Sequence, residues 1–365
     1  MLRNFMRLIT RRSTLYTEMV VDSTILHNTH QLENHLGGSN PQNVAEAATW
    51  AELAGYDEVN LNVGCPSCRV VDKGSFGAAL MRSPKKVRDI VYEMKRRVQI
   101  PVTVKCRLGV DNLDSPEFTK QFVETVSQGG CKHFIVHARK AWLQGVDPKK
   151  NRSVPPLLYH RVFELQEAFP ELHFSLNGGV TSLELAQQLL KGEWKASDTA
   201  EAKDPQIPDT DVTNGSQHSG LYGVMIGRAA MNDPCCLAQA DKLIYGSREN
   251  PESAQCRRSL LLAYIDYLER YEARHRKQKS PFVLLKPVLG VLSGMPGQRH
   301  FRQALDTKIR RSCPDEVAAE VLRQSMDVVD SEFPGVLDYP LKLGKNPRYE
   351  EIISAVKCEL CSSDT

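Results

Sequence analysis

In the stretch "EVNLNVGCPSCRVV", residues 58–71, Cys65 and Cys68 stand in a C-x-x-C spacing. Three chemistries use that spacing: a redox disulfide, half of a metal site, or one working thiol beside a bystander. A thioredoxin-type pair needs its first cysteine at a helix N-terminus in a small βαβ domain, which this region does not offer. A zinc site needs about four ligands, and "CELC", Cys358 to Cys361, would have to supply the other two from the end of the chain. The third reading is the stronger. Cys65 lies just beyond a strand, after Gly64 and before Pro66, so its thiol is expected to face the mouth of a barrel. A free thiol, with a pKa near ~8.5, is mostly protonated at neutral pH and can give a proton to a carbanion. Cys68 is then the bystander.

Other residues suit an anionic or electron-rich ligand. Lys105 in "VTVKCRLG" is a cation in the middle of an apolar strand, costly unless paired. It can stabilise negative charge on a ring, as a reduced flavin requires. His137 and Arg139 in "VHARK" can donate to the same ligand. "LNGGV", with Asn177, Gly178 and Gly179, and "GVMIGRA", with Gly227 and Arg228, are glycine turns at strand ends, where backbone N–H groups approach a phosphate closely.

The elements that must position these residues alternate between short β-rich runs and helices over about 57–230, as parallel βα units do. "LYTEMVV", "DEVNLNVG", "PVTVKCRLG", "KHFIVHAR", "LHFSLNGG" and "YGVMIGR" are the six strand candidates. Each carries its polar or glycine residues at its C-terminal end: Asn62 and Cys65, Lys105 and Arg107, His137 and Arg139, Asn177, Gly227. A (β/α) barrel gathers those ends on one face. A doubly wound sheet does so as well, so the pattern alone leaves both open.

Residues 195–220 are polar and nearly devoid of large apolar side chains, and read as a disordered insertion. Beyond them the pattern turns helical, with a strong excess of Arg and Lys between Arg257 and Arg311. Such a module suits a phosphate-backbone ligand. The expected organisation is a barrel domain over 1–246, a helical domain over 251–335 and a loose tail over 336–365. "MLRNFMRLITRRS" reads as an amphipathic helix, with an organelle presequence as the lesser reading. A near-balance of 47 basic and 44 acidic residues excludes a strongly basic protein, and ten cysteines scattered over 365 residues favour reduced thiols. No apolar run is long enough to cross a membrane.

"DEVNLNVGCPSCRV", "GSFGAALM", "VTVKCRLGVD", "FIVHARKAWLQGVDPKKNRSVPPL", "LNGGV" and "GVMIGRAAMNDP" together closely resemble the tRNA-dihydrouridine synthases of the A-type branch. "LLKPVLGVLSGMPGQRHFRQALD" resembles that family's C-terminal helical domain. The resemblance implies an α/β TIM (β/α)8-type barrel holding FMN, followed by a small all-α tRNA-binding domain. NADPH would reduce the flavin, hydride would pass to C6 of a flipped uridine, and a cysteine would protonate C5. Motif by motif, Cys65 would be that acid and Asn62 would contact the base. Lys105 and His137 would bind the flavin ring, with Asn177, Gly178, Gly179, Gly227 and Arg228 on its phosphate side. Arg139 would serve the substrate, and Lys149, Arg299 and Arg302 fall where this branch contacts tRNA. A monomer in the cytoplasm is expected, with a plastid or mitochondrion as the lesser reading, and without DNA or membrane partners.

The chain departs from the family pattern in two places. It begins inside the family's first helix, without the preceding strand that touches the flavin. Of the family's third strand it keeps only the "LGGS" end, with His35 where a flavin-contacting Gln would stand. About six strands are therefore expected where eight close a barrel. The alternative reading is a catalytically impaired truncated isoform that only binds tRNA.

Overall fold

Polar and apolar residues alternate in "VNLN", "VTVKCR" and "HFSLN", a period of two that separates the faces of a strand. In the computed structural model, the described residues are 1–27, 35–66, 76–194, 220–275, 279–311, 317–341 and 347–354, without the side chains of Ser23, Leu26, His27, His35 and 308–311. Among them are seven strands: β1 Met19–Val21, β2 His35–Gly37, β3 Val59–Asn62, β4 Val102–Arg107, β5 His133–His137, β6 His173–Asn177 and β7 Gly223–Met225. They form one sheet in the order β1 to β7, and every neighbouring pair is parallel.

Helices cross between them. Pro41–Leu53 starts under Asn40, whose side chain accepts the Asn43 N–H at 3.0 Å. Pro116–Ser127 starts in the same way under Ser115. Both carry Pro at a first-turn position, where no N–H is needed. A doubly wound sheet reverses its strand order at a switch point. Here the order never reverses, so the architecture is of the TIM-barrel type.

The count corrects the expectation of six strands. The extra strand is β2, the "HLG" remnant, paired to β1 and β3 by backbone alone. Three residues ending in glycine carry no periodic signal, so only the neighbouring strands reveal it. β1 is also shorter than "LYTEMVV" suggested. Among the described residues, β7 and β1 are not paired with each other.

The register explains where the polar strand residues go. Asn62 lies opposite Lys105, Arg107 opposite His137, His137 opposite Asn177, and Asn177 opposite Met225. Two residues back on the same face, the Asn60 Nδ2 donates to Thr103 Oγ1 at 2.7 Å, and Thr103 and Tyr16 hydroxyls both donate to Glu58. The alternate residues Val59, Leu61, Val104, Cys106, Phe134, Val136, Phe174 and Leu176 are buried on the opposite face. This face is the apolar one that the crossover helices cover.

The sheet and its helices form one compact unit, Tyr16–Val180 with Glu184–Gly227. The other comprises the described residues of Met1–Leu15, Thr181–Leu183 and Arg228–Thr365. Residues 1–15 and 228–246 thus group with the helical part rather than with the barrel. The helix Leu2–Ile9 buries Phe5, Met6 and Ile9, and the Phe5 ring meets Tyr264 edge-on at 4.9 Å. Asp241 then accepts the Arg11 and Arg12 N–H groups, which fixes the chain beyond that helix.

The expected tail is also partly built in. Val336, Leu337 and Ile352 are fully buried, and the Leu341 N–H donates to Gln255 O. The Arg258 N–H also donates to Leu337 O, which ties this segment to the start of the helix Arg257–Arg274. The expected insertion lies outside the described residues except for Gly220. No described helix is long and apolar enough to cross a membrane.

His133 donates to or accepts from Ser175 Oγ at 2.8 Å, and burial lowers its pKa to about 4. The unfolded chain binds the extra proton between pH 4 and the ordinary 6.5, so stability is full above that window and falls as pH drops through it. The loss is at most about 3 kcal/mol. Thermal unfolding of His133→Gln across the same range should show a flatter pH dependence than the parent. Phe5→Ala should cost about 3–5 kcal/mol in denaturant unfolding of the helical unit, whereas a dispensable N-terminal segment would leave it unchanged.

Candidate active site

The loop after β3 is held by side chains from the strands beside it. Asn62 Oδ1 accepts the N–H groups of Gly64 at 2.9 Å and Cys65 at 3.1 Å. The Val63 N–H donates to Lys105 O, and the Ala78 N–H donates to Cys65 O. Both the N–H and the C=O of Cys65 are therefore engaged, and its free, half-buried thiol starts from a fixed backbone. Asn62 Nδ2 points to Met19 Sδ. In this arrangement Asn62 orients the cysteine loop.

Lys105, at the C-terminal end of β4, donates from Nζ to Asn177 Oδ1 at 2.9 Å. Asn177 Nδ2 in turn donates to Met225 O, tying β4 to β6 and β7. Burial lowers the Lys105 pKa to about 8, and the nearby Arg107 charge adds to the effect. Arg107 is driven down to about 10, first by burial. The Cys65 sulfur is within electrostatic reach of both cations. No carboxylate acts on either one among the described residues, which leaves concentrated, uncompensated positive charge at the strand ends.

His137 is buried at the end of β5 against the turn that follows β6. Gly178 and Gly179 there have φ of +112° and +70°, a region that side chains other than glycine rarely adopt. A Cβ on Gly178 would lie 2.7 Å from the His137 ring, and one on Gly179 would lie 2.5 Å from Leu157. Tyr159 closes the turn by donating to Gly178 O. At Gly227, by contrast, a Cβ would meet nothing within 4 Å.

The structure thus brings together Asn62, Cys65, Lys105, His137, Asn177, Gly178 and Gly179 at one end of the sheet, with Gly227 just after β7. Arg139 lies apart from that exposed end. It is only 1% exposed, and its guanidinium donates to Ser153 O and Pro155 O, so it braces a loop. Lys149 is exposed on that loop. Arg228, Arg299 and Arg302 belong to the helical unit. There Arg299 and Arg302 are exposed one turn apart on the helix Gln298–Arg311.

Arg302 Nε also donates to Leu289 O at 2.8 Å, and two further arginines of the basic stretch are engaged. Arg257 is buried and donates to Val291 O, and Arg258 is forked between Asp330 and Asp338. Cys68, Cys358 and Cys361 lie outside the described residues. One residue of the site carried no assigned role in the sequence reading: Arg107, noted there only as a polar strand end. The signal for Arg107 was its spacing, two residues from Lys105 on the same face of a strand.

The sequence model of the family described as "Dihydrouridine synthase (Dus)" matches residues 1–193 and 207–326, more than half of the chain and parts of both compact units. This chain belongs to the dihydrouridine synthase family. Among family members, a tRNA-dihydrouridine(20/20a) synthase of Shewanella oneidensis is 41% identical over 320 residues, covering 85% of this chain and 85% of that protein. Proteins of the same name from Vibrio vulnificus and Escherichia coli are each 40% identical. The first covers 91% of this chain and 93% of its own length, the second 86% and 84%. The dihydrouridine synthase match includes every residue gathered at the strand ends.

If Asn62 holds the cysteine loop, Asn62→Asp should be the milder lesion and Asn62→Leu the more severe, since Asp retains an acceptor for both N–H groups. Amide exchange at Gly64 and Cys65 checks this: Asp should stay near the parent rate and Leu should rise roughly tenfold, the value of about 1.4 kcal/mol.

Proposed function

We propose that this dihydrouridine synthase reduces the C5–C6 double bond of tRNA uridines, with FMN as its flavin and NADPH as the reductant. The observation that supports this most directly is the pinned Cys65 thiol beside Lys105 and Arg107, two cations with no carboxylate acting on them among the described residues. That charge fits an anionic, electron-rich ring, and the backbone turns at Gly178, Gly179 and Gly227 suit its phosphate side. When bound, the flavin supplies hydride to C6 of the uridine. Lys105 and His137 would hold the ring, with Asn177 orienting the Lys105 ammonium. Cys65 would carry the proton on Sγ and release it to C5 from a loop whose position Asn62 sets. A neutral acid suits this step, because the base gains electron density at C5 as hydride arrives at C6. Lys149 on the barrel unit, with Arg299 and Arg302 on the helical unit, would contact the phosphate backbone.

The relatives named above are called tRNA-dihydrouridine(20/20a) synthases, so positions 20 and 20a are the ones to assay. With tRNA lacking dihydrouridine, the protein should form it, and Cys65→Ala should lose about 10²–10⁴-fold in rate while still binding tRNA. A Cys65→Ala protein of undiminished rate would remove the assigned acid. A parent that binds tRNA yet never forms dihydrouridine, with or without added flavin, would leave the tRNA-binding reading instead.

FMN affinity provides a second check. The Lys105 pKa near 8 in the free protein means that binding an anion above that pH requires proton uptake. Affinity should hold below pH 8 and weaken above it by up to about tenfold per pH unit. Lys105→Met should remove that dependence. In the helical unit, reversing charge at both Arg299 and Arg302 should weaken tRNA binding and reduce the salt slope by about 2.

A further inference from the structure

Arg107 is 2% exposed, and its donors go to three backbone carbonyls in two loops. Nε donates to Gly64 O at 2.9 Å, on the peptide that leads directly into Cys65. Nη1 is shared between Lys140 O and Asn151 O, each at 2.9 Å. The last two bracket the loop after β5. Asn151 closes that loop from within and is fully buried. Its Oδ1 accepts the Trp142 N–H at 2.7 Å, and its Nδ2 donates to Trp142 O and Val146 O. The same loop exposes Lys149, Lys150 and Arg152.

Among the described residues, this buried guanidinium has no carboxylate and only these carbonyls to offset its lost hydration. Each hydrogen bond from a charged donor is worth more than a neutral one, roughly 1.5–3 kcal/mol. We propose that Arg107 is a positioning residue: it joins the loop carrying Cys65 to the basic loop 140–152, so that the two move as one body. Seating of a polyanion on the basic loop is then felt at the thiol through two hydrogen-bonded links. The functional half of this inference rests on the reductase reading above, whereas the mechanical half does not. Lysine cannot replace the residue fully, because one ammonium on a flexible stem lacks the planar fork that spans separate acceptors.

The test is hydrogen exchange by mass spectrometry on the whole chain, comparing Arg107→Met with the parent. Amides of Gly64, Cys65 and Ala78, together with those of 140–152, should exchange roughly 10- to 100-fold faster, while the helix Pro84–Arg97 stays at the parent rate. Unchanged exchange at Cys65, or a change confined to one of the two loops, would overturn the coupling. If Arg107→Met loosens every segment, Arg107→Lys replaces it. That variant keeps the charge and should show the same two-loop pattern at smaller amplitude; a uniform pattern there too would overturn the proposal.

In turnover assays, kcat should fall at least about tenfold with the tRNA KM within about threefold of the parent, and Arg107→Lys should recover part of kcat. A rise in KM alone would assign Arg107 to binding and not to positioning. A parent inactive on tRNA would defeat the reductase reading, but the exchange result would still decide the coupling.

Discussion

Two cations on one strand set the conditions for the rest of the barrel unit. Lys105 and Arg107 sit two residues apart on the inner face of β4, where water is largely excluded and no carboxylate acts on them among the described residues. A buried charge must be met by hydrogen bonds or it is expelled. Asn177 meets Lys105, and three backbone carbonyls meet Arg107. Those partners come from the strand and loop ends that carry the other site residues. Satisfying the two charges therefore ties these segments together, and positive charge remains concentrated at the strand ends.

The parallel register makes this possible. Because each strand pairs in sequence with the next, Asn62 and Lys105 share one layer, and Arg107, His137, Asn177 and Met225 share the layer two residues further on. A slip of one residue in any strand would turn its polar set onto the apolar face beneath the crossover helices. The lower layer, with Glu58 accepting from Tyr16 and Thr103, opposes such slips, since it too would lose its partners. Burial and the Glu58 charge both push the Tyr16 hydroxyl upward, so it remains a donor throughout the physiological range.

The helical unit follows a different logic. Much of its positive charge is structural. Arg257 and Arg258 fasten helices and segments to one another, so the exposed cations are fewer than the sequence excess suggests. Arg299 and Arg302 are exposed, one turn apart, which is the arrangement a phosphate backbone can use. The N-terminal helix belongs to this unit because Phe5, Met6 and Ile9 supply part of its core.

Sequence alone was enough for the alternation of strands and helices, the polar strand ends and the motifs that identify the family, because these are local patterns written in residue type and spacing. Through the glycine before Cys65 and the proline after, it also placed that residue just beyond a strand end, where the structure has it. It could not show β2, whose three residues pair only because β1 and β3 flank them. Nor could it say that Arg139 braces a loop while Lys149 stays exposed, or that Asn62 spends its carbonyl oxygen on the backbone of the cysteine loop. These roles depend on which carbonyls come within about 3 Å of which donor. Residues 64, 107, 140 and 151 are far apart along the chain, and only the side-by-side pairing of β3, β4 and β5 brings them to one guanidinium.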